Sequence, residues 1–222
     1  MHIQWLGHAA FLVVSPQGTR ILIDPFPPSL GYSAVRVPAT AVLLSNRNFD
    51  HKYVAMAEGT PRVIPGLTLE GKCTEVRTQV GDVTIRGVCT WQDAEQGAQR
   101  GANSMWLITV GGLRILHAGS LGHLLEAETV RALGPVDVLL VPVGGIYTLD
   151  GDQAARLVEQ LKPHIAVPMH YKTPAMRLQL EKADKFLKHF PDYTTAPHLS
   201  LERASLPAAT RVYVLRYEAS VK

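Results

Sequence analysis

The sequence predicts a mixed α/β domain, and two features of its patterning support that prediction. In the first half, short apolar segments are separated by Gly, Pro and Asp residues, as in strands joined by tight turns. From about Leu124 onward, helical periods alternate with continuous apolar segments typical of buried strands. The chain has 222 residues, of which 46% are hydrophobic and 18% charged, which is enough for one sizeable core. A single domain over residues 1–222 is therefore expected.

Short apolar runs define nine strands in the strand-rich part of the chain. We predict them at residues 3–6, 10–14, 19–23, 41–44, 62–64, 75–78, 83–89, 105–110 and 113–116. Turn sequences at residues 15–18, 81–82 and 111–112 separate neighbouring strands, and the last two contain Gly, as hairpin turns require. The loop at residues 25–40 is long enough to be functional.

The remainder of the chain predicts three helices and three more strands. Helices are expected at residues 126–133, at residues following a cap at Asp150 or Asp152, and at residues 182–190; strands are expected at 136–141, 165–167 and 211–217. The strand at 211–217 alternates apolar and polar residues, which predicts a position at the sheet edge.

Composition and charge narrow the class of partner. Lys and Arg number 22 against 19 Asp and Glu, which gives a net charge of +3, and no block of like charges indicates nucleic-acid binding. The longest apolar stretch, residues 138–149, is interrupted by Pro and Gly and is shorter than the roughly 20 residues of a membrane-spanning helix. We expect a small-molecule ligand or substrate and neither nucleic acid nor a membrane as partner, while a homo-oligomer stays open.

The start of the chain and its cysteines predict a cytoplasmic protein. Met1 leads directly into an apolar segment without the basic region or cleavage site of a secretory signal. The two cysteines, Cys73 and Cys89, form no disulfide framework and fit reduced thiols. Cys89 falls in a predicted strand, where a buried and inert thiol is expected.

Polar residues follow six of the predicted strands at the point where each strand ends. They are His8, Asp24, the segment 45–51, Gln92 with Asp93, His117 with Ser120, and His170. Ligands of α/β folds collect beyond the carboxyl ends of strands, so this joint placement predicts one shared pocket.

Six motifs occur in the order found in a known family: LGHAAF at 6–11, IDPF at 23–26, DH at 50–51, HAG at 117–119, VPVGG at 141–145 and PMHY at 168–171. Together they resemble the metallo-β-lactamase superfamily, in particular small metal-dependent hydrolases similar to L-ascorbate-6-phosphate lactonase. The resemblance implies an αββα sandwich with a two-zinc site at the strand ends, which activates water for attack on an ester, lactone, amide or phosphodiester.

The chain departs from the family at four ligand positions. The family segment His-x-His-x-Asp-His is here Asn46-Arg47-Asn48-Phe49-Asp50-His51, Gln92 lies where relatives have a further histidine, and Ser120 replaces the Asp that bridges the two metals. Amides and hydroxyls are weak zinc ligands, so the resemblance implies an empty first metal position. These four side chains are expected to line the pocket and to hydrogen-bond one another.

The ligands that the resemblance assigns to the second metal are retained as Asp50, His51 and His170. We expect either no cofactor or a single divalent metal ion there, with zinc as the leading candidate. Our main hypothesis is a catalytically impaired or purely binding descendant of a metal-dependent hydrolase. The alternative is a hydrolase with one metal ion, in which Asp50 takes part in activating water.

Three further residues are expected near the site without being family ligands. His8 and His117 are interpreted as pocket lining or structural. Asp24 is interpreted either as a carboxylate that orients its surroundings, paired with the amide of Asn46 or Asn48, or as one that only closes the loop at a strand end. Arg47, Lys52 and Lys172 could meet an anionic substrate, although exposed bases are usually only solvated. No Ser-His-Asp pairing is indicated by the sequence.

Overall fold

Two β-sheets form the framework of the protein, in a computed structural model that describes residues 1–33 and 35–217. The strands are β1 (His2–Gly7), β2 (Ala10–Val14), β3 (Arg20–Ile23), β4 (Val37–Pro38), β5 (Ala41–Leu44), β6 (Ala57–Glu58), β7 (Arg62–Pro65), β8 (Arg77–Val80), β9 (Val83–Trp91), β10 (Ala102–Val110), β11 (Leu113–His117), β12 (Val138–Pro142), β13 (Ile165–Met169), β14 (Thr194–Ala196), β15 (Leu199–Ser200) and β16 (Arg211–Leu215). The α-helices are α1 (Ala127–Leu133), α2 (Gly151–Leu161) and α3 (Asp184–Leu187).

The first sheet has the order β15-β1-β2-β3-β5-β7 and the second the order β14-β16-β13-β12-β11-β10-β9-β8. Hairpins join β1 to β2, β2 to β3, β8 to β9 and β10 to β11, whereas β11, β12, β13 and β16 run parallel to one another. The two sheets pack face to face, because the inner side chains of both belong to one buried cluster. This architecture is the predicted α/β sandwich.

Side-chain alternation along the strands of the first sheet builds two apolar layers. In β2, Phe11 and Val13 point into the cluster between the sheets, and Leu12 points to a second cluster on the outer face. Loop residues such as Phe26 and Met176 cover this outer face, and among the described residues its cluster includes none from an α-helix. The predicted functional loop at 25–40, of which Ala34 lies outside the described residues, therefore contributes to a core.

The helices differ from prediction mainly in length. Asp150, and not Asp152, caps α2: its carboxylate accepts from the Gln153 backbone N–H at 2.9 Å, and the Gln153 side chain accepts from the Asp150 backbone N–H. The α-helix predicted at 182–190 is limited to Asp184–Leu187. Just before this region, the backbone of Glu181 is hydrogen-bonded to Gly144 and Lys172.

The prediction that the final strand lies at a sheet edge is wrong. β16 pairs with β13 on one side and with β14 on the other, so the three-residue β14 forms the edge. The end of the predicted domain, residues 218–222, lies outside the described residues.

The prediction of reduced thiols is also wrong. Cys73 and Cys89 form a disulfide, with their Cα atoms 5.7 Å apart. The segment after β7 folds back on itself, since the Thr74 backbone N–H donates to the Gly66 carbonyl, and Cys73 of this segment is bonded to Cys89 of β9. Cys89 is exposed rather than buried.

Among the described residues, no helix has both the length and the apolar character needed to span a membrane.

Candidate metal centre

The polar residues at the strand ends meet at one cavity of about 440 Å³. Its buried lining comprises Asp50, His51, Gln92, Ser120 and His170, and its exposed lining comprises Asn48, Phe49, Arg100 and Tyr147. β5, β9, β11 and β13 place the buried residues, because each of these strands ends at the same edge of the sandwich. The shared pocket predicted from the sequence is thus present.

Four buried residues form a group that could hold a metal ion: His8, Asp50, His51 and His170, each with one ligand atom, all within 4.8 Å of one another. His8 Nε2 donates to Asp50 Oδ2 at 3.1 Å, and the His8 and His170 rings are 4.1 Å apart. The Nδ1 atoms of His8 and His170 are buried and have no hydrogen-bond partner among the described residues. Imidazole nitrogens and a carboxylate in this number fit a zinc or iron ion.

His8 is the member of this group that sequence reasoning placed in the pocket lining rather than among candidate ligands. It lies on the turn between β1 and β2, and its carbonyl accepts from the Trp5 indole N–H and from the His170 backbone N–H. These two bonds fix the turn against β13. The LGHAAF motif was the sequence signal that pointed to His8. The partner of His8, Asp50, is 42 residues away in the sequence, so the contact could not be predicted from the motif.

Asp24 pairs with His51 and Ser45, so the predicted pairing with Asn46 or Asn48 is wrong. Asp24 Oδ2 accepts from His51 Nδ1 at 3.0 Å and from Ser45 Oγ at 2.6 Å, and Asp24 Oδ1 accepts from the Ser45 backbone N–H at 2.7 Å. Since Nδ1 of His51 donates to the carboxylate, Nε2 carries the lone pair; it faces Ser120 Oγ and is the ring nitrogen that could bind a metal ion. A carboxylate behind a ligating histidine is the usual second layer of a metal site.

The four residues at the remaining family ligand positions hydrogen-bond one another, as expected. Asn48 Nδ2 donates to Gln92 Oε1 at 2.8 Å, and Asn46 Nδ2 donates to Ser120 Oγ at 3.1 Å. Ser120 Oγ also lies 3.1 Å from His51 Nε2. The structure therefore contains a Ser120–His51–Asp24 chain of hydrogen bonds that the sequence did not indicate. Asn48, Gln92 and Ser120 line the cavity, and Asn46 lies buried behind them.

The site is built on backbone with positive φ. His8, Asp24 and His170 have φ of 51°, 46° and 54°, in the left-handed region that non-glycine residues seldom adopt. Each of the three follows a strand directly or within one residue, and the turn there aims the side chain toward the site. Such residues persist where the surrounding structure fixes them, and they concentrate at functional sites.

Burial and charge shift the pKa values of the site in opposite directions. Burial, together with the neighbouring His8 and His51, holds the pKa of His170 well below its usual value. Burial also acts to lower the pKa of His51, but the Asp24 carboxylate outweighs it and raises that pKa. Burial acts to raise the pKa of Asp50, and the neighbouring histidines more than offset this effect, so Asp50 is a carboxylate.

His117 has the structural one of its two expected roles, and Lys172 also makes structural contacts. His117 Nε2 donates to the Ala9 carbonyl at 2.8 Å, and His117 Nδ1 accepts from the Gly119 backbone N–H at 3.1 Å, which fixes the turn after β11. Lys172 Nζ donates to the carbonyls of Met176 and Leu178. His117 and Lys172 are not among the residues that line the cavity.

Asp93 shapes the loop at the mouth of the cavity. Its carboxylate accepts from the backbone N–H groups of Glu95, Gly97, Gln99 and Arg100 at 2.7–3.1 Å. Burial acts to raise the pKa of Asp93, but these four N–H groups lower it overall. The loop brings Arg100, which sequence reasoning missed, to the cavity lining.

Comparison with known proteins identifies the class to which this fold and site belong. The model of the β-lactamase superfamily domain matches residues 2–170. A metal-dependent hydrolase of the UPF0173 group from Thermococcus onnurineus is 33% identical over 192 residues, covering 77% of this chain and 84% of its own length. Another from Carboxydothermus hydrogenoformans is 31% identical over 194 residues, covering 78% of this chain and 85% of its own length.

Solved structures agree with these relatives. A proposed zinc-dependent hydrolase of the metallo-β-lactamase superfamily from Thermotoga maritima is 32% identical, with a TM-score of 0.77 over 100% of this chain and 99% of that chain. Igni18, a metallo hydrolase from Ignicoccus hospitalis, shares the fold, with 21% identity and a TM-score of 0.63 over 95% of this chain and 94% of that chain. The chain belongs to the metallo-β-lactamase superfamily and, within it, to the UPF0173 metal-dependent hydrolases.

Our main functional hypothesis, an impaired or purely binding descendant, is therefore wrong. The relatives are metal-dependent hydrolases, and the cavity holds a buried group of imidazoles and a carboxylate that could bind a metal. The hypothesis gave most weight to the ligand positions occupied by Asn46, Asn48, Gln92 and Ser120, and it did not count His8 among the residues that could ligate.

Proposed function

We propose that the protein is a hydrolase that uses a single divalent metal ion, held by Asp50, His51 and His170 with His8 as a further ligand. The observation that supports this proposal is the four-residue group buried at a cavity of small-molecule size. A metal ion at this group supplies a Lewis acid that polarises a carbonyl or phosphoryl oxygen and activates water. Zinc suits the mixture of imidazole and carboxylate.

The protein's own residues hold and orient the reacting groups. Asp24 fixes the His51 ring through Nδ1, so that Nε2 faces the cavity. Without an ion, His8 holds the Asp50 carboxylate through Oδ2, a bond that coordination by His8 would replace. Asp50 would orient the attacking water by accepting a hydrogen bond from it. The amides of Asn48 and Gln92, which are bonded to each other, form a neutral wall beside the site that can hydrogen-bond a substrate.

The substrate class is proposed from the cavity and the family. A cavity of about 440 Å³ suits a small ester, lactone or phosphodiester and is too small for a folded polymer. The resemblance to L-ascorbate-6-phosphate lactonase favours a lactone. The absence of a nucleic-acid or membrane partner and a cytoplasmic location remain predictions, and a homo-oligomer stays open. Cell fractionation tests the location, and size-exclusion chromatography tests the oligomeric state.

Metal content and hydrolysis test the proposal together. After zinc loading and desalting, elemental analysis should find one tightly held equivalent per chain, and the loaded protein should hydrolyse 4-nitrophenyl acetate, a γ-lactone or bis(4-nitrophenyl) phosphate. His170→Asn should remove both properties. Two tightly held equivalents would contradict the single-metal arrangement, and a loaded protein inert toward all three substrates would contradict the hydrolase.

A matched histidine variant provides the control. His198 is exposed and does not line the cavity, so His198→Asn should keep the zinc equivalent and the activity. Loss of zinc from His198→Asn, or its retention by His170→Asn, would place the metal elsewhere.

A further inference from the structure

Arg100 is an exposed residue of the cavity lining, whereas the carboxylate and the three imidazoles of the metal group are buried. Among the described residues, no hydrogen bond or ion pair engages its guanidinium. Some arginines elsewhere in the protein use their guanidinium groups for structure: Arg114 donates to the carbonyls of Leu133 and Pro135, and Arg86 donates to the carbonyl of Ala132. Arg100 thus has an unused charge at the cavity.

The backbone of Arg100 is held firmly although its side chain is free. The Arg100 backbone N–H donates to Asp93 Oδ2 at 2.7 Å, and the next residue, Gly101, donates to the Gly97 carbonyl at 2.8 Å. The Gly101 carbonyl in turn accepts from the backbone N–H of Gln92, which itself lines the cavity. A rigid loop with a free guanidinium is suited to ligand binding, because little order must be gained when the ligand arrives.

Besides Arg100 and Asn48, the exposed lining consists of two aromatic residues. Phe49 and Tyr147 are 56% and 43% exposed. A ligand that fills this cavity would contact these rings as well as the metal group and Arg100. Its middle portion is therefore expected to be apolar.

The charges of the cavity favour an anion. With a divalent ion bound, the ion and Arg100 outweigh the carboxylates of Asp24 and Asp50, so the cavity is positive overall. The arginine guanidinium binds carboxylate and phosphate groups through two parallel hydrogen bonds.

We propose that Arg100 forms an anion-binding subsite at the mouth of the cavity, which selects substrates with a carboxylate or phosphate group separated by an apolar segment from the bond that is hydrolysed. This inference deepens the proposed function, because it names the substrate class of the same site. Carboxylate and phosphate groups share the chemistry that Arg100 would recognise: each is an oxyanion, here at the end of the substrate far from the bond that is hydrolysed.

Two ligands that differ in a second carboxylate distinguish binding at Arg100 from binding at the metal ion. Pentanoate and glutarate both have five carbons, but only glutarate offers a second carboxylate. Both can bind a metal through one end, so the gain in affinity of glutarate over pentanoate measures the second site. Isothermal titration calorimetry on the full-length zinc-loaded protein should show glutarate binding about tenfold or more tightly than pentanoate. 4-Phosphonobutyrate in the same titration distinguishes a phosphate from a carboxylate preference.

Three variants assign that gain to one residue. Arg100→Gln should reduce the gain of glutarate to less than about threefold, Arg100→Lys should keep part of it, and raised salt should weaken it in the wild type. Arg156 is exposed on α2, outside the cavity lining, and Arg156→Gln should behave as the wild type. Circular dichroism checks that the variants are folded.

The outcomes also separate this inference from the proposed function. Equal affinities of pentanoate and glutarate for the wild type, or an unchanged gain in Arg100→Gln, would overturn the subsite. If the loaded protein hydrolysed no ester, lactone or phosphodiester but showed the Arg100-dependent gain, the subsite would stand and the hydrolase would fall.

Discussion

His51 Nδ1 lies 3.0 Å from Asp24 Oδ2, and both residues are almost completely buried. This bond sets which ring nitrogen of His51 faces the cavity. We predict that Asp24→Asn lowers zinc affinity roughly 10- to 100-fold, the usual effect of losing such a partner, while the protein stays folded. Competition with a chromophoric chelator gives the affinity. An unchanged dissociation constant would mean that His51 does not ligate through Nε2.

His8 allows a test of the four-residue group, since it is not a ligand in the family pattern. If His8 coordinates the ion, His8→Asn should lower zinc affinity about tenfold or more. If it only holds Asp50 at 3.1 Å, asparagine can replace that hydrogen bond and the loss should be smaller. The same chelator competition measures both. Asn48→Ala, which changes the cavity lining without removing a candidate ligand, is the control and should bind zinc as the wild type does.

Acidification from about pH 7 to about pH 5 should destabilise the metal-free protein. Burial lowers the pKa of His8, His117 and His170, so the unfolded chain binds more protons at these residues as the pH falls below about 6.5. His51 acts in the opposite direction, because its pKa is raised in the folded state. Because three histidines act against one, we expect a net loss of stability. Urea unfolding with chelator present measures it, and equal or greater stability at the lower pH would refute the prediction.

The Cys73–Cys89 disulfide closes a loop with a sequence separation of 16. Removing it by Cys73→Ser and Cys89→Ser together should cost about 3 kcal/mol of stability, mainly because the unfolded chain becomes less constrained. Thermal unfolding under non-reducing conditions tests this, and a thiol assay on the unfolded wild type should find no free cysteine. Reduction of the wild type should reproduce the stability of the double variant; a reduced wild type as stable as the oxidised one would contradict the estimate.

Strands with clear apolar runs between turn residues could be predicted from the sequence. β2 and β5 have the predicted bounds, because each is a continuous apolar segment flanked by polar or turn-forming residues. β8 is displaced by two residues, because Arg77–Val80 is mostly polar and is held by pairing with β9. β14 and β15 are too short to show any periodicity, so the edge position was assigned to the wrong strand.

The site was predictable in its location but not in its contacts. Strand ends indicated where the polar residues meet, yet the contacts of His8 with Asp50 and of Asp24 with His51 depend on the packing of separate turns. Arg100 follows the end of β9 by nine residues and reaches the cavity only because the Asp93 carboxylate folds the intervening loop. The disulfide likewise depends on a turn that the apolar periodicity of the sequence does not predict.

The positive φ of His8, Asp24 and His170 limits which substitutions can report on their chemistry. An alanine there removes the side chain and also places an unfavourable residue in a left-handed conformation. A loss of binding then cannot be distinguished from a loss of stability. Asparagine tolerates this conformation and resembles both side chains in size, whereas glycine relaxes the backbone. At these positions a comparison of asparagine and glycine replacements is therefore the informative experiment, and an alanine scan would overstate the catalytic importance of the site.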